Sequence, residues 1–81
     1  MPVTVRLFAR LRELAGSGEL TRDLPASATV AAVWEQLVTD YPAMQAYQPS
    51  LSCAVNAEYA RFKSPIADGD EIAFLPPVSG G

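Results

Sequence analysis

Apolar and polar residues alternate at the beginning of the chain, as they do in a strand that has one buried face. In the segment PVTVRLFA, Val3, Val5 and Leu7 share one side, because successive side chains of a strand point to opposite faces. The other side is polar except at Phe8, a large apolar ring. The pattern therefore predicts a half-buried first strand that carries Phe8 on its outer face.

The next segment, RLRELAG, has the spacing of a short amphipathic helix. Leu11, Leu14 and Ala15 share one face, which leaves the charged residues to solvent. Gly16 is placed to end this helix in the left-handed conformation, which glycine adopts without steric cost.

A stronger helical pattern occurs in TVAAVWEQLVTDY, where apolar residues recur at intervals of three and four. We expect Thr29 to cap this helix, because its hydroxyl can accept a hydrogen bond from a free amide of the first turn. Pro42 is expected to end the helix, and Trp34 to anchor it to a sheet. The apolar face consists of Val30, Val33, Trp34, Leu37, Val38 and Tyr41.

Further strands are predicted on both sides of the long helix. The segment SGELTRDLP begins with a turn and indicates a second strand, antiparallel to the first because the connection is short. The segment PAMQAYQPS is predicted to be a loop. LSCAVN is predicted to be the third strand, with Cys53 on its apolar face as a buried structural thiol.

Two more strands complete the pattern. A turn beginning at Asn56 leads into a short strand, YARFK, and the last strand is EIAFL. In this last strand Phe74 points to the same side as Ile72, whereas Leu75 points to the other side.

The order of these elements predicts an α+β fold in which one long helix crosses a mixed sheet. A crossover helix allows the last strand to lie beside the first, parallel to it and in the centre of the sheet. This is the β-grasp arrangement of ubiquitin-like proteins. We assign residues 1–75 to the β-grasp domain and residues 76–81 to an extended C-terminal tail.

The composition excludes several kinds of site. The chain of 81 residues has no histidine and a single cysteine, so zinc sites, Cys–His dyads, Ser–His–Asp triads and internal disulfides are excluded. Asp68 and Asp70 flank a glycine and indicate a turn rather than an acid–base pair. We therefore expect no metal site, no cofactor bound by this chain and no catalysis by its side chains.

The charge distribution limits the partners. The net charge is −3, and the six basic residues are scattered along the sequence, which argues against nucleic acid as a partner. Arginines interrupt the apolar stretch at the N-terminus, so it does not have the pattern of a signal peptide, and no apolar run is long enough to span a bilayer. We expect a cytoplasmic protein that does not bind membranes.

The chain ends in FLPPVSGG, and two features of this tail indicate a function. Pro76 and Pro77 fix the backbone angle φ and favour an extended exit from the last strand. Gly80 and Gly81 have no Cβ, so they can pass where only backbone fits. Residues 76–81 could span roughly 20 Å. We therefore predict a thin arm whose terminal carboxylate is the functional group.

Outward-facing apolar residues are expected near the root of this tail. Phe8 and Leu75 lie on the outer faces of the first and last strands, and these strands are predicted to be neighbours. Tyr59 on the short strand could join them. Together they would form an exposed apolar patch, and such patches mark binding sites for partner proteins.

The segments VRLFARLRELAG, AVN and DGDEIAFLPPVSGG, with the β-grasp order, resemble the small subunit of molybdopterin synthase, the MoaD-type sulfur carriers. The resemblance covers essentially the whole chain. PPVSGG after DGDEIAF is its most specific element, because a terminal Gly-Gly alone also occurs in ubiquitin and in the thiamine sulfur carrier.

The resemblance implies that the carboxylate of Gly81 is the reactive group. In such carriers an E1-like adenylating enzyme (MoeB-type) uses Mg-ATP to form an acyl-adenylate at this glycine, and a sulfur donor converts it to a thiocarboxylate. The large synthase subunit (MoaE-type) then accepts the tail, and sulfur passes to cyclic pyranopterin monophosphate to form the dithiolene. The implied partner-binding residues are Phe8, Tyr59, Leu75, Pro76, Pro77, Val78 and Ser79.

Three alternatives stay open. The chain could be a sulfur carrier for another pathway, such as thiamine or tungsten-cofactor synthesis, although the Pro-Pro before the glycines argues against a thiamine carrier. It could be a ubiquitin-like modifier whose Gly81 forms an isopeptide bond with a lysine. A purely structural interaction domain is the third, and it predicts that deletion of the two terminal glycines has no effect.

Overall fold

The computed structural model of the protein describes residues 1–77. The predictions made for Val78, Ser79, Gly80 and Gly81 lie outside the described residues. The elements are β1 (Pro2–Leu7), α1 (Ala9–Ala15), β2 (Glu19–Asp23), α2 (Val30–Asp40), a 3₁₀ helix (Pro42–Ser50), β3 (Ser52–Val55), β4 (Glu58–Ala60) and β5 (Glu71–Leu75).

The strands form one mixed sheet in the order β2-β1-β5-β3-β4. β1 and β5 run parallel in its interior, with Val5 opposite Ile72 and Leu7 opposite Phe74. The other neighbouring pairs are antiparallel. This confirms the predicted α+β fold, a β-grasp sheet crossed by one long helix with the last strand beside the first.

The core lies between one face of this sheet and α2. Trp34 is 2% exposed and packs against Phe74, with ring centroids 5.1 Å apart. Its indole Nε1 donates a hydrogen bond to Oε1 of Gln48 at 3.0 Å, so the polar edge of the ring is satisfied. The predicted roles of Trp34 as an anchor and of Cys53 as a buried thiol are both confirmed.

The start of α2 corrects one prediction. Thr29 occupies the N-cap position, but its side chain makes no capping hydrogen bond. The first amides of the helix instead meet backbone carbonyls of a distant segment: the Val30 amide donates to Ser64 at 3.0 Å and the Ala31 amide to Phe62 at 2.8 Å. Because these carbonyls satisfy the free amides, the hydroxyl is not needed as a cap.

Three segments differ from their predicted structure. The segment PAMQAYQPS, predicted as a loop, forms the 3₁₀ helix and buries Met44 in the core. β1 ends at Leu7, so Phe8 follows the strand instead of belonging to it. β4 ends at Ala60, and Phe62 lies beyond it with its ring 6.3 Å from that of Trp34.

Tight turns occur where the sequence predicts them. Gly16 ends α1 with a φ of 76°, and Gly69 turns the chain before β5 with a φ of 82°. Both angles lie in the left-handed region that glycine adopts without a Cβ clash.

No helix described between residues 1 and 77 is long and apolar enough to cross a membrane.

Candidate functional site

Phe8 lies at the junction of β1 and α1, and both elements fix its position. Its backbone is extended, with φ −130° and ψ 156°. Its carbonyl oxygen accepts hydrogen bonds from the amides of Leu11 at 3.1 Å and Arg12 at 3.4 Å. The side chain is 39% exposed. The chain therefore holds an aromatic ring at the surface by a rigid backbone.

Leu75 reaches the same place from β5. The parallel pairing of β1 with β5 puts Leu7 opposite Phe74, so the following residues, Phe8 and Leu75, are neighbours where the two strands end. Leu75 points away from the core and is half-buried. The predicted proximity of Phe8 and Leu75 thus follows from the strand register.

Tyr59 is connected to this part of β5 by a row of paired residues that crosses the sheet. Tyr59 on β4 lies opposite Ala54 on β3, and Ala54 lies opposite Ala73 on β5. Paired residues share a face of the sheet, so both alanines lie on the outer face. Because their side chains are small, they form a low floor beside the Tyr59 ring, which is 89% exposed.

The floor and its walls form a shallow cavity of about 330 Å³, which we call the sheet groove. Phe8 and Leu75 wall it at one end and Tyr59 at the other, and Glu71 provides a carboxylate at its margin. The sheet groove is lined by Phe8, Ala54, Ala57, Tyr59, Glu71, Ala73 and Leu75.

A second cavity, of about 480 Å³, adjoins the first and lies at the root of the tail; we call it the tail groove. Its lining is shared with the sheet groove at Phe8 and Leu75, so the two form one continuous outer apolar surface. The tail groove is lined by Phe8, Ala9, Arg10, Tyr47, Leu75, Pro76 and Pro77.

Tyr47 is a part of this surface that the sequence analysis missed. It comes from the 3₁₀ helix, and its contribution depends on that helix packing beside α1. Because the segment was predicted to be a loop, its sequence did not indicate the direction of the Tyr47 side chain. Pro76 is half-buried and Pro77 exposed beside it. The structure thus brings together the predicted residues Phe8, Tyr59, Leu75, Pro76 and Pro77, and their binding of partners stays a prediction.

The hairpin that carries Tyr59 is fixed to β5 by Asn56. Asn56 and Ala57 have φ angles of 51° and 69°, as in the two-residue turns that best suit antiparallel hairpins. The Asn56 side chain donates from Nδ2 to Oδ1 of Asp70 at 2.9 Å and accepts at Oδ1 from the Glu71 amide at 3.0 Å. These bonds hold the β3–β4 turn against the start of β5.

An ion pair involving Glu71 lies at the margin of the outer apolar surface. Arg6 lies between two carboxylates, with Nε 3.8 Å from Glu19 and Nη1 3.6 Å from Glu71. Cys53 points to the core face instead, where its Sγ donates to the carbonyl oxygen of Ala60 at 3.3 Å. Burial raises the pKa of its thiol, which disfavours the reactive thiolate.

No group of three or more His, Cys, Asp or Glu side chains suited to a metal ion occurs in the part of the chain that the structure describes. The outer apolar surface offers shape and apolar contact, together with a few charges at its margins. An arrangement of this kind can bind another protein and present a tail to it.

The sheet order, the single long helix and this outer surface identify a ubiquitin-like β-grasp protein. The chain belongs to the ThiS family, whose model matches residues 5–81. Its resemblance to molybdopterin synthase sulfur carrier subunits is confirmed. It is 39% identical to that subunit of Escherichia coli (strain K12) over 83 residues, which cover 98% of this chain and 99% of the relative.

Two further relatives extend the comparison. The molybdopterin synthase sulfur carrier subunit of Arabidopsis thaliana is 35% identical over 79 residues, covering 98% of this chain and 82% of the relative. Small archaeal modifier protein 1 of Haloferax volcanii is 36% identical over 84 residues, covering 94% and 97%. The crystal structure of SAMP1 from Haloferax volcanii matches with a TM-score of 0.89, at 34% identity over 100% of both chains.

Proposed function

We propose that this protein is the sulfur carrier subunit of a molybdopterin synthase. The observation that carries the proposal is the outer apolar surface, which is continuous with the root of a tail ending in Gly-Gly. The names of the relatives from Escherichia coli and Arabidopsis thaliana support the same function. The family match extends to residue 81 and therefore includes both terminal glycines.

The proposed chemistry begins at the carboxylate of Gly81. A carboxylate is a poor electrophile, because its leaving group would be an oxide. Attack of its oxygen on the α-phosphorus of ATP releases pyrophosphate and gives an acyl-adenylate, whose leaving group is AMP. A sulfur donor then attacks the carbonyl carbon and expels AMP, which leaves a thiocarboxylate. This divides one difficult substitution into two easier steps.

Two partner enzymes supply the catalytic groups in this proposal. An E1-like adenylating enzyme (MoeB-type) binds the Mg-ATP, so the carrier itself binds no cofactor. The large synthase subunit (MoaE-type) accepts the tail and transfers its sulfur to cyclic pyranopterin monophosphate, forming the dithiolene of molybdopterin. The relatives' designation as synthase subunits is consistent with a second subunit.

The chain's own contribution is docking and presentation. Phe8, Tyr59 and Leu75 form the contacts of the outer apolar surface, where a partner would cover exposed aromatic area. Pro76 and Pro77 line the tail groove and set the direction in which the tail leaves the domain. Residues 78–81 would then enter the partner's active site, where Gly80 and Gly81 need little width.

A second candidate function is protein modification. The similarity to small archaeal modifier protein 1, at 36% identity, and to the SAMP1 structure, with a TM-score of 0.89, favours it. Activation of Gly81 would be the same in both functions. They differ in the nucleophile, which is a sulfur donor for the carrier and a lysine amine for the modifier.

The test is the intact mass of the protein after incubation with its host's adenylating enzyme, Mg-ATP and a sulfide source. We expect a gain equal to the exchange of one oxygen for one sulfur, and its loss when Gly81 is deleted. Addition of the large synthase subunit and the pterin precursor should then return the original mass and yield molybdopterin.

Two results would contradict the proposal. The first is an unchanged mass when the adenylating enzyme and ATP are active on another carrier. The second is a thiocarboxylate that the large subunit does not consume. Conjugates joined through Gly81 to lysines of other proteins would support the modifier instead.

A further inference from the structure

Arg12 provides a positive charge beside the outer apolar surface. It lies in the last turn of α1, four residues after the N-cap residue Phe8, and its amide donates to the Phe8 carbonyl at 3.4 Å. Residues four apart are neighbours on a helix surface. Arg12 and Phe8 also line one shallow cavity of about 330 Å³, together with Gly18 and with Glu19, whose carboxylate pairs with Arg6. The charge is therefore adjacent to the aromatic ring.

Gly18 fixes where the Arg12 side chain lies. A Cβ built on Gly18 would come 3.3 Å from both Cδ and Nε of Arg12, which means that the arginine packs directly against the glycine backbone. The Gly18 carbonyl in turn accepts a hydrogen bond from the Leu7 amide at 3.0 Å. The side chain thus rests on backbone that is fixed to β1.

Arg12 lacks an acidic partner within the part of the chain that the structure describes, whereas its neighbours have one. Arg6 contacts Glu19 and Glu71, and Arg10 contacts Glu13 at 3.7 Å. An exposed arginine that packs through its stem and has no carboxylate within salt-bridge distance is available to a carboxylate of another molecule. A planar guanidinium can hold such a group by two parallel hydrogen bonds.

We propose that Arg12 is a recognition residue, which pairs with an acidic side chain of the large synthase subunit while Phe8 and Tyr59 make the apolar contacts. This inference rests on the proposed function, which supplies the partner. The chain is acidic, with a net charge of −3, so a cation fixed at the margin of the apolar surface favours the approach of an acidic partner residue. The charge would set the orientation of the complex and raise the association rate.

The experiment measures binding of the host's large synthase subunit to the wild-type chain and to Arg12→Gln, at low and high salt. Lys63→Gln is the matched control, because it removes the same charge from an exposed residue that lines none of the three cavities sharing Phe8. Arg12→Lys tests whether the planar guanidinium matters. Tyr59→Ala establishes that the outer apolar surface is the one being bound.

We expect Arg12→Gln to weaken binding about 10-fold at low salt, mainly through slower association. The difference from wild type should shrink at high salt, because salt screens an ion pair at the margin of an interface. Arg12→Lys should keep the salt dependence with part of the affinity. Lys63→Gln should bind as the wild type does. A merely structural role for Arg12 would not change the salt dependence.

The inference is overturned if Arg12→Gln binds like the wild type while Tyr59→Ala does not, or if Lys63→Gln weakens binding equally. A loss confined to the E1-like adenylating enzyme would overturn the assignment to the large subunit. If the wild-type chain fails to bind an active large subunit at all, the proposed function fails, and this inference with it.

Discussion

The turn at Asn56 allows a quantitative prediction, since it combines an unusual backbone angle with two side-chain hydrogen bonds. We consider the substitution Asn56→Ala. It removes the bonds to Asp70 and Glu71, and it places alanine at a φ of 51°. Asparagine tolerates the left-handed region better than alanine does, because its short polar side chain can form local hydrogen bonds.

The expected loss can be estimated from these two terms. Each hydrogen bond contributes about 0.5–1.5 kcal/mol, and we take the lower part of this range because Asn56 is exposed. The left-handed angle costs alanine roughly 1 kcal/mol more than asparagine. Asn56→Ala should therefore lower the free energy of unfolding by about 2–3 kcal/mol. Asn56→Gly loses the same bonds without the Cβ clash, so it should lose about 1 kcal/mol less.

Urea unfolding followed by the fluorescence of Trp34, the single tryptophan, measures these differences. In a domain of this size 1 kcal/mol corresponds to roughly 4–8 °C in Tm, so thermal unfolding gives a second measurement. Equal stability of the alanine and glycine variants would refute the conformational term. If both variants lie within about 0.5 kcal/mol of wild type, the side-chain bonds do not stabilise the turn.

Three further substitutions test other parts of the structure. Ala57→Gly should raise the free energy of unfolding by about 1 kcal/mol, because Asn-Gly suits a turn with two positive φ angles better than Asn-Ala; unchanged urea midpoints would contradict this. Tyr59→Ala should change stability by less than about 0.5 kcal/mol yet weaken binding of the large subunit at least 10-fold in calorimetry; a loss of stability instead would make Tyr59 structural. Burial raises the pKa of Cys53 above its ordinary value of 9.0, so its contribution to stability is complete below pH 9 and is lost as pH rises toward the folded-state pKa. When the pH is raised from below 9 to above 9, the free energy of unfolding should therefore fall less in Cys53→Ala than in wild type. An identical dependence of this free energy on pH in the two proteins would refute this.

The arrangement of the sheet could be predicted from the sequence because a buried face imposes an alternation of period two. Val3 and Val5 on β1 and Ile72 and Phe74 on β5 keep that period without a break. A shift of one residue would turn each of these side chains toward solvent. The pattern therefore determined the faces of the two central strands, and the face of Leu75 followed from the same register.

The features that the sequence did not reveal depend on contacts between distant segments. Thr29 has a side chain that suits a helix cap, but the carbonyls of residues 62 and 64 accept the hydrogen bonds of the first amides instead. The 3₁₀ helix contains Pro49 and has weak periodicity, and its position depends on burying Met44 under α2. Local propensity is a weak guide where tertiary contacts compete with it.

The outer apolar surface contains both features that the sequence predicts and features that only the structure reveals. Phe8, Tyr59 and Leu75 are large and could be placed from the alternation. The depth of the sheet groove depends instead on Ala54 and Ala73, which attract no notice in a sequence because they are small. Their effect appears only when the register sets them side by side across β3 and β5. The groove thus exists because two neighbouring strands carry small side chains at paired positions.

This arrangement also explains how so small a chain can combine a stable core with an outer face suited to the proposed docking. A single long helix covers one face of the sheet, and the aliphatic and aromatic residues that stabilise the fold are concentrated there. The other face needs little bulk for stability, so its residues are free to serve binding. Large apolar side chains remain at the two ends of the sheet groove, and the tail begins at the end formed by Phe8 and Leu75. In the proposed function, a partner that covers them would lie at the base of residues 76–81, so recognition of the domain would be linked to delivery of its terminus.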